Sequence, residues 1–245
     1  MAKQMLLAGA LVVFAAFLLF SVGLPAAGAV ADPRVCLDPG HGGSAPGAVN
    51  GSLREADINL DVALTLKDHL KDDGIDVVMT RDDISTKSTR DRYEFCNSAN
   101  ATLMVSIHTN SVADTSIDGT LAIYFHKDDR VLAQALYNEM WAKLQPTWSN
   151  GPTFIDFGLK KDALGVVLKS EMPAAVAEPV FMSHPIEAER LGQSVSECSD
   201  NSNNLCRRAQ IVEALYEGII NYLALPPGDE GGNGRGGGPP PGRGR

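Results

Sequence analysis

Positive charge is scarce in this chain. Among its 245 residues, 21 Lys and Arg stand against 30 Asp and Glu, which gives a formal net charge of −9. Phosphate binding needs clustered basic side chains, and the part of the chain that is expected to fold has no such cluster. We therefore expect no nucleic-acid-binding surface. No internal repeat is visible. A hydrophobic content of 44% suits one core, so we expect a single domain.

Only one long apolar run occurs, and it lies near the N-terminus. Residues 5–24 follow a single lysine and precede small residues that offer A-x-A sites at 27–29 and 29–31. This pattern predicts an export signal within residues 1–31. A run of roughly 20 apolar residues also suffices to span a bilayer, so an uncleaved membrane anchor through residues 5–24 is the alternative. Either way, we expect an exported protein that is extracellular, in the cell wall or periplasmic, with membrane anchoring as the alternative to release.

The C-terminal residues contain too few apolar side chains to form a core. From residue 226 onward the sequence consists largely of Gly, Pro and Arg. Such a composition cannot bury enough surface to fold, so residues 226–245 are predicted to be a disordered tail. The folded domain is therefore expected within residues 32–225.

Cysteine is limited to four residues, Cys36, Cys96, Cys198 and Cys206. An even number in an exported protein favours disulfides over a metal cluster. Cys198 and Cys206 flank a short polar stretch, "ECSDNSNNLCRR", which favours a bridge between them. A Cys36–Cys96 bridge is then left by elimination. The alternative is four free or buried thiols.

Strand-like and helix-like segments alternate along residues 32–225. Ile58, Val62, Leu66 and Leu70 recur every four residues, which predicts a helix that starts near Glu55. Further helices are expected at about 89–99, 129–144 and 205–223. Buried strands are predicted for "RVCLDP", "GIDVVMTR", "TLMVSIH", "TLAIYFH" and "AAVAEPVFM", while 146–162 is predicted to be a turn-rich connection. The alternation indicates an α/β fold with a largely parallel, twisted sheet flanked by helices.

The aromatic residues of that connection have two interpretations. Trp148, Phe154 and Phe157 lie within "PTWSNGPTFIDFGLKKD". They could line a groove, or they could simply pack the connection against the domain.

Two histidines and a glutamate are expected to meet at one edge of this sheet. His41 follows the first strand, His108 ends the "LMVSIH" strand and Glu55 opens the first helix. Ligands bind at the carboxyl edge of parallel strands, and two imidazoles with one carboxylate form an open, catalytic type of zinc site. Such a site brings the pKa of bound water to about 7. Individually, each histidine could instead be a hydrogen-bonded structural residue, and Glu55 could complement the helix dipole.

Glu178 is unusual because it lies in the apolar stretch "AAVAEPVFM". Burial of an unpaired carboxylate raises its pKa, and a raised pKa suits a general base or acid near neutral pH. The alternative is a buried salt bridge with Arg81, Arg90 or Arg92.

Five motifs in a fixed order resemble those of one enzyme family. They are "LDPGHGG" with a downstream glutamate, "TR", an arginine before "CNSANA", "SIHTNS" and "PAAVAEPVFMSHPIEAERL". Over about Val35 to Tyr222 the chain is similar to zinc-dependent N-acetylmuramoyl-L-alanine amidases of the Amidase_3 type. The resemblance implies an α/β hydrolase that binds peptidoglycan and cuts the amide between N-acetylmuramic acid and L-alanine. We expect it to act as a monomer.

The resemblance also implies the roles of individual residues. His41, Glu55 and His108 would hold Zn²⁺. Glu178 would take a proton from the attacking water and return it to the leaving amine. Two alternatives stay open: a peptidoglycan-binding or regulatory module without activity, and a zinc peptidase that cuts another amide of the peptide stem.

Some positions depart from the family pattern without removing an implied ligand. Ala45 stands where many relatives have Asp, and "SIHTNS" and "FMSHP" replace "SIHANA" and "F-x-SNP". His184 therefore occupies the position of an Asn, where it could contact substrate or cap a loop. His126 ends the strand "TLAIYFH" and could approach the metal rim, although the family has no ligand there.

Overall fold

A computed structural model describes residues 32–145, 154–198 and 206–226. The predicted signal or anchor, Trp148 and all but the first residue of the predicted tail lie outside the described residues. Within those ranges, no helix combines the length and the apolar character needed to cross a bilayer.

The strands are β1 Arg34–Pro39, β2 Val49–Asn50, β3 Leu53–Arg54, β4 Asp76–Met79, β5 Leu103–Ile107, β6 Asp118–Tyr124, β7 Phe154–Lys161 and β8 Ala174–Glu178. Six of them form the main sheet, in the spatial order β4-β1-β5-β8-β6-β7. Most neighbours are parallel, and only the contact between β6 and β8 is antiparallel. A short hairpin of β2 and β3 lies outside this sheet.

Helices cover both faces of the sheet, as the alternating pattern predicted. They are α1 Glu55–Asp72, α2 Thr89–Ser98, α3 Asp129–Leu144, α4 Gly165–Lys169, α5 Pro185–Leu191 and α6 Arg207–Leu223. One core contains apolar side chains of α1, α3 and α6, and a second core contains those of α2 and α4. Successive residues of a strand point to opposite faces, so Val35 and Leu37 join the first core and Cys36 joins the second. The α/β fold with a largely parallel sheet is confirmed.

The prediction for residues 146–162 is wrong over its second half. Phe154–Lys161 form β7, which pairs in parallel with β6. The register shifts between Thr120 and Leu121, where Phe157 is the extra residue, and Gly158 has a φ of 64°. This bulge breaks the alternation by which a strand is recognised in sequence. Phe154 is buried, and its ring centroid lies 6.0 Å from that of Trp141, whereas Phe157 is 42% exposed.

Both predicted disulfides are present. Cys36 is bonded to Cys96, and Cys198 is bonded to Cys206. All four cysteines are therefore paired, and the alternative of free thiols is wrong.

Candidate active site

The loop after β1 places His41 at the carboxyl edge of the sheet. His41 has a φ of 62°, a left-handed conformation that is uncommon for a residue other than glycine. Gly47, farther along the loop, also has a positive φ of 69°. A Cβ atom on Gly47 would lie only 2.5 Å from Glu55 Oε2 and 2.6 Å from His41 Cδ2. The loop therefore needs glycine here, because its backbone passes directly against two candidate ligands.

His41, Glu55 and His108 converge as the sequence predicted. His41 Nε2 lies 3.2 Å from Glu55 Oε2, and His108 Nδ1 lies 2.9 Å from Glu55 Oε1. One ligand atom from each of the three residues lies within 4.8 Å of the other two. The side chain of Glu55 is 8% exposed, while those of His41 and His108 are 33% and 23% exposed. The cluster thus has a buried carboxylate and two imidazoles that reach solvent.

The electrostatics of the cluster keep Glu55 ionised. Burial raises the pKa of Glu55, but hydrogen bonds from His108 and His41 outweigh it, so the pKa lies well below its usual value. The backbone N–H of Ala48 donates a further hydrogen bond of 2.9 Å to Glu55 Oε2. For His108, burial lowers the pKa, but the hydrogen bond with Glu55 and the charge of Glu178 raise it above its ordinary value. An ionised carboxylate between two imidazoles is a suitable set of donors for a divalent cation.

Glu178 is the last residue of β8, at the same edge of the sheet. Next to it, the His108 N–H donates a 3.0 Å hydrogen bond to the carbonyl of Ala177. Glu178 Oε2 is buried and has no hydrogen-bond partner among the described residues. Burial raises the pKa of Glu178 to about 7; His108 opposes the rise and Glu55 adds to it. The carboxyl group can therefore exchange a proton near neutral pH.

The alternative of a salt bridge to Glu178 is wrong. Arg90 pairs with Glu94 at 2.7 Å, and Arg92 pairs with Asp38 at 2.7 Å. Arg81 instead donates hydrogen bonds to four backbone carbonyls, those of Pro39, Gly40, Ala56 and Asp83. All three guanidinium groups are committed to other partners.

The remaining histidines lie apart from the three-residue cluster. The possible approach of His126 to this cluster is excluded, because β6 runs antiparallel to β8 and therefore ends at the opposite edge. There His126 Nε2 lies 3.1 Å from the carbonyl of Leu168. His184 is buried at the start of α5, where its carbonyl accepts the N–H of Ala188, but its side chain does not cap the helix. His69 is half-buried, 3.7 Å from Glu213.

Sequence reasoning missed Asp38, a fully buried carboxylate just before the His41 loop. Its oxygens accept hydrogen bonds from Thr80 Oγ1 at 2.5 Å, Ser106 Oγ at 2.6 Å and Arg92 at 2.7 Å. The signal was available, since Asp38 interrupts the apolar strand "RVCLDP" as Glu178 interrupts its own strand.

Comparison with known proteins gives a consistent result. A family model described as N-acetylmuramoyl-L-alanine amidase, Amidase_3, matches residues 35–221. The chain is 29% identical over 207 residues to the germination-specific N-acetylmuramoyl-L-alanine amidase of Bacillus subtilis (strain 168), covering 77% of this chain and 79% of that protein. It is 27% identical over 193 residues to the amidase LytC of the same organism, covering 79% of this chain but 36% of LytC.

Solved structures extend the likeness to the fold. The amidase AmiC2 of Nostoc punctiforme superposes with a TM-score of 0.67 at 29% identity, covering 79% of this chain and 98% of that one. The match to the family model includes the candidate ligands and Glu178. The chain belongs to the Amidase_3 family of N-acetylmuramoyl-L-alanine amidases.

Proposed function

We propose that this protein is a zinc-dependent peptidoglycan hydrolase that cuts the amide between N-acetylmuramic acid and L-alanine. One observation carries this proposal: three candidate ligands converge, and at the same sheet edge Glu178, whose Oε2 is buried with no partner among the described residues, interacts electrostatically with two of them, His108 and Glu55. A binding module would have no need for a carboxyl group with a pKa near neutrality beside a metal site. The family assignment supplies the substrate class.

The donor set fits zinc. His41, Glu55 and His108 offer two nitrogens and one oxygen, which is the three-ligand composition of catalytic zinc sites. The two imidazoles reach solvent, so a substrate oxygen has access to the same centre. Bound there, zinc would polarise the scissile carbonyl and make water a stronger acid.

Glu178 is the proposed proton carrier. As a carboxylate it accepts a proton from the attacking water at Oε2, and as a carboxylic acid it then donates that proton to the amine of L-alanine. A pKa of about 7 suits both steps, because neither protonation state is strongly favoured near neutral pH. The C–N bond breaks, and the water oxygen remains on the lactyl carbonyl carbon.

Phe157 is a candidate for substrate positioning. It is the extra residue of the β7 bulge, beside Leu121, and Leu121 pairs with Glu178 in the sheet. Its half-exposed ring lies 5.4 Å from the buried ring of Phe181, measured between centroids. This places an apolar surface two strands from the proposed general base, and we propose that an alkyl part of the substrate packs there.

The site of action is proposed from the N-terminal sequence and from the relatives. Residues 1–31 have the pattern of an export signal, with membrane anchoring through residues 5–24 as the alternative. We propose a monomer with a disordered tail at 226–245. Both disulfides agree with an oxidising compartment.

Digestion of purified cell-wall sacculi tests the activity. We expect the wild-type protein to bind about one zinc and to release peptide stems that begin with L-alanine, as identified by mass spectrometry. Glu178→Gln should bind zinc and release none. Shortened stems would instead support a peptidase, and zinc binding without release would support a wall-binding module.

A further inference from the structure

Helix α2 is joined to the sheet by two neighbouring crosslinks. Its sequence, "TRDRYEFCNS", is polar, and its only buried residues are Arg92 and Cys96. Cys96 forms the disulfide with Cys36, and Arg92 forms the 2.7 Å ion pair with Asp38. Cys36 and Asp38 are two residues apart on β1 and therefore share a face of the sheet, while Arg92 and Cys96 are one turn apart on α2. The disulfide and the ion pair are thus adjacent crosslinks between α2 and β1.

The guanidinium of Arg92 also contacts the backbone of His41, a candidate metal ligand. Besides Asp38, the guanidinium donates hydrogen bonds to the carbonyl of Pro39 at 2.7 Å and to that of His41 at 2.6 Å. It therefore spans both ends of the short segment that turns His41 towards Glu55. His41 holds an unfavourable left-handed conformation, which persists only when its surroundings fix it.

The disulfide anchors the helix that carries this guanidinium, one turn from Arg92. Because α2 has no apolar stripe that could fix its register on the sheet, its position depends on polar and covalent contacts. These are the two crosslinks, the hydrogen bond from Arg34 to the carbonyl of Ala99, and the contacts of Asn97 with Lys169 and Glu171. Without the disulfide, the ion pair and the hydrogen bonds of Arg92 lose the covalent link that holds the buried face of α2 against β1. A small shift of the helix would then move Arg92 away from the carbonyl of His41.

We propose that the Cys36–Cys96 disulfide and Arg92 are positioning elements of the metal site, which fix His41 for metal binding through its backbone carbonyl. This deepens the proposed function and rests on it, since it assumes that the three ligands hold zinc. Groups that orient a metal ligand from behind contribute to affinity although they do not touch the metal. The proposal makes the site sensitive to the oxidation state of one particular disulfide.

The test compares crosslinks of the same chemistry at two places in the full-length protein. The Cys36→Ala/Cys96→Ala double variant removes the bridge behind His41. The Cys198→Ala/Cys206→Ala double variant removes a bridge that closes a local loop before α6. Zinc affinity is measured for each by competition with a chromophoric chelator, and the visible spectrum of bound cobalt reports the coordination geometry.

A second pair of variants applies the same test to the guanidinium. Arg92→Lys keeps the charge but cannot reach a carboxylate and two carbonyls together. Arg208→Lys is the matched control, since Arg208 also joins a carboxylate, that of Asp61 at 2.9 Å, to a backbone carbonyl, that of Leu191 at 2.8 Å. Circular dichroism shows which variants are folded before zinc is added.

The expected result is a selective loss of metal affinity. Removing the Cys36–Cys96 bridge, or replacing Arg92 by Lys, should weaken zinc binding about tenfold or more and alter the cobalt spectrum, while both controls stay within about twofold of wild type. Unchanged zinc affinity in folded Arg92→Lys would overturn the proposal, even if the cysteine variant does not fold. Equal losses in the controls would also overturn it. Failure of the wild type to cleave sacculi would contradict the proposed function alone, because the affinity comparison needs no turnover.

Discussion

Replacing Glu178 by Gln should remove activity and at the same time stabilise the metal-free protein. Gln has nearly the same shape, but it cannot accept a proton from water. Ionised Glu178 also lowers the free energy of unfolding at alkaline pH, because its buried Oε2 has no hydrogen-bond partner among the described residues. Replacement of a residue that serves only the structure would also lower activity, but it would lower stability rather than raise it.

The size of each effect follows from the site. Loss of a general base lowers kcat by about 10²- to 10⁴-fold, which corresponds to about 3 to 5 kcal/mol. Burial raises the pKa of Glu178 from 4.5 to about 7, so the folded protein holds this proton more tightly than the unfolded chain. Stability is therefore lost as pH rises towards 7, up to about 3 kcal/mol. Glu178→Gln removes this loss and should be up to about 3 kcal/mol more stable than wild type at pH 8, with little difference at pH 4.

Urea unfolding of metal-free protein and hydrolysis by zinc-loaded protein measure the two effects separately. Glu171→Gln is the matched control, since Glu171 is exposed on the same segment and should change neither quantity by a measurable amount. Zinc affinity should be retained in Glu178→Gln, because Glu178 does not belong to the ligand cluster. A variant that keeps more than about a tenth of the activity would refute the role of Glu178 as general base.

Three further predictions concern the loop, a second buried carboxylate and the aromatic rim. Gly47→Ala should weaken zinc binding about tenfold because its Cβ would collide with two ligands. Gly51→Ala, with a similar φ of 60° but open space, should leave zinc affinity unchanged in the same titration. Burial and the charge of Glu187 raise the pKa of Asp118 to about 7. From pH 5 to pH 7, metal-free wild type should therefore lose about 2 kcal/mol more unfolding free energy than Asp118→Asn, as measured by urea unfolding at each pH. An equal change in unfolding free energy with pH in the two proteins would contradict this. Phe157→Ala should raise KM several-fold with kcat nearly unchanged in muropeptide kinetics, and a fall in kcat alone would exclude a binding role.

The convergence of the candidate ligands was predictable because it depends on topology alone. In a parallel sheet the loop after β1 and the end of β5 must share an edge, so His41 and His108 meet wherever the intervening segments fold as βαβ units. The apolar stripe fixed the start of α1, and with it the position of Glu55. None of these inferences required knowledge of side-chain conformations.

The errors arose where pairing direction or backbone irregularity decides the outcome. Nothing in "TLAIYFH" shows that β6 runs antiparallel to β8, and that reversal takes His126 to the far edge. The bulge at Phe157 interrupts the alternation of side chains, so the sequence did not predict β7. The hydrogen bonds from Arg92 to backbone carbonyls could not be predicted, because every residue has a backbone carbonyl and the sequence does not show which of them accepts a hydrogen bond.

The measurement that tests the central claim most directly is hydrolysis of sacculi in water enriched in the heavy oxygen isotope, followed by mass spectrometry of glycan and peptide products. If the protein cuts the amide of N-acetylmuramic acid, one heavy oxygen appears on the lactyl carboxyl group of the glycan. The released stem then carries an unlabelled, free L-alanine amine. Heavy oxygen in a carboxyl group of the peptide stem, with the lactyl group unlabelled, would contradict the account.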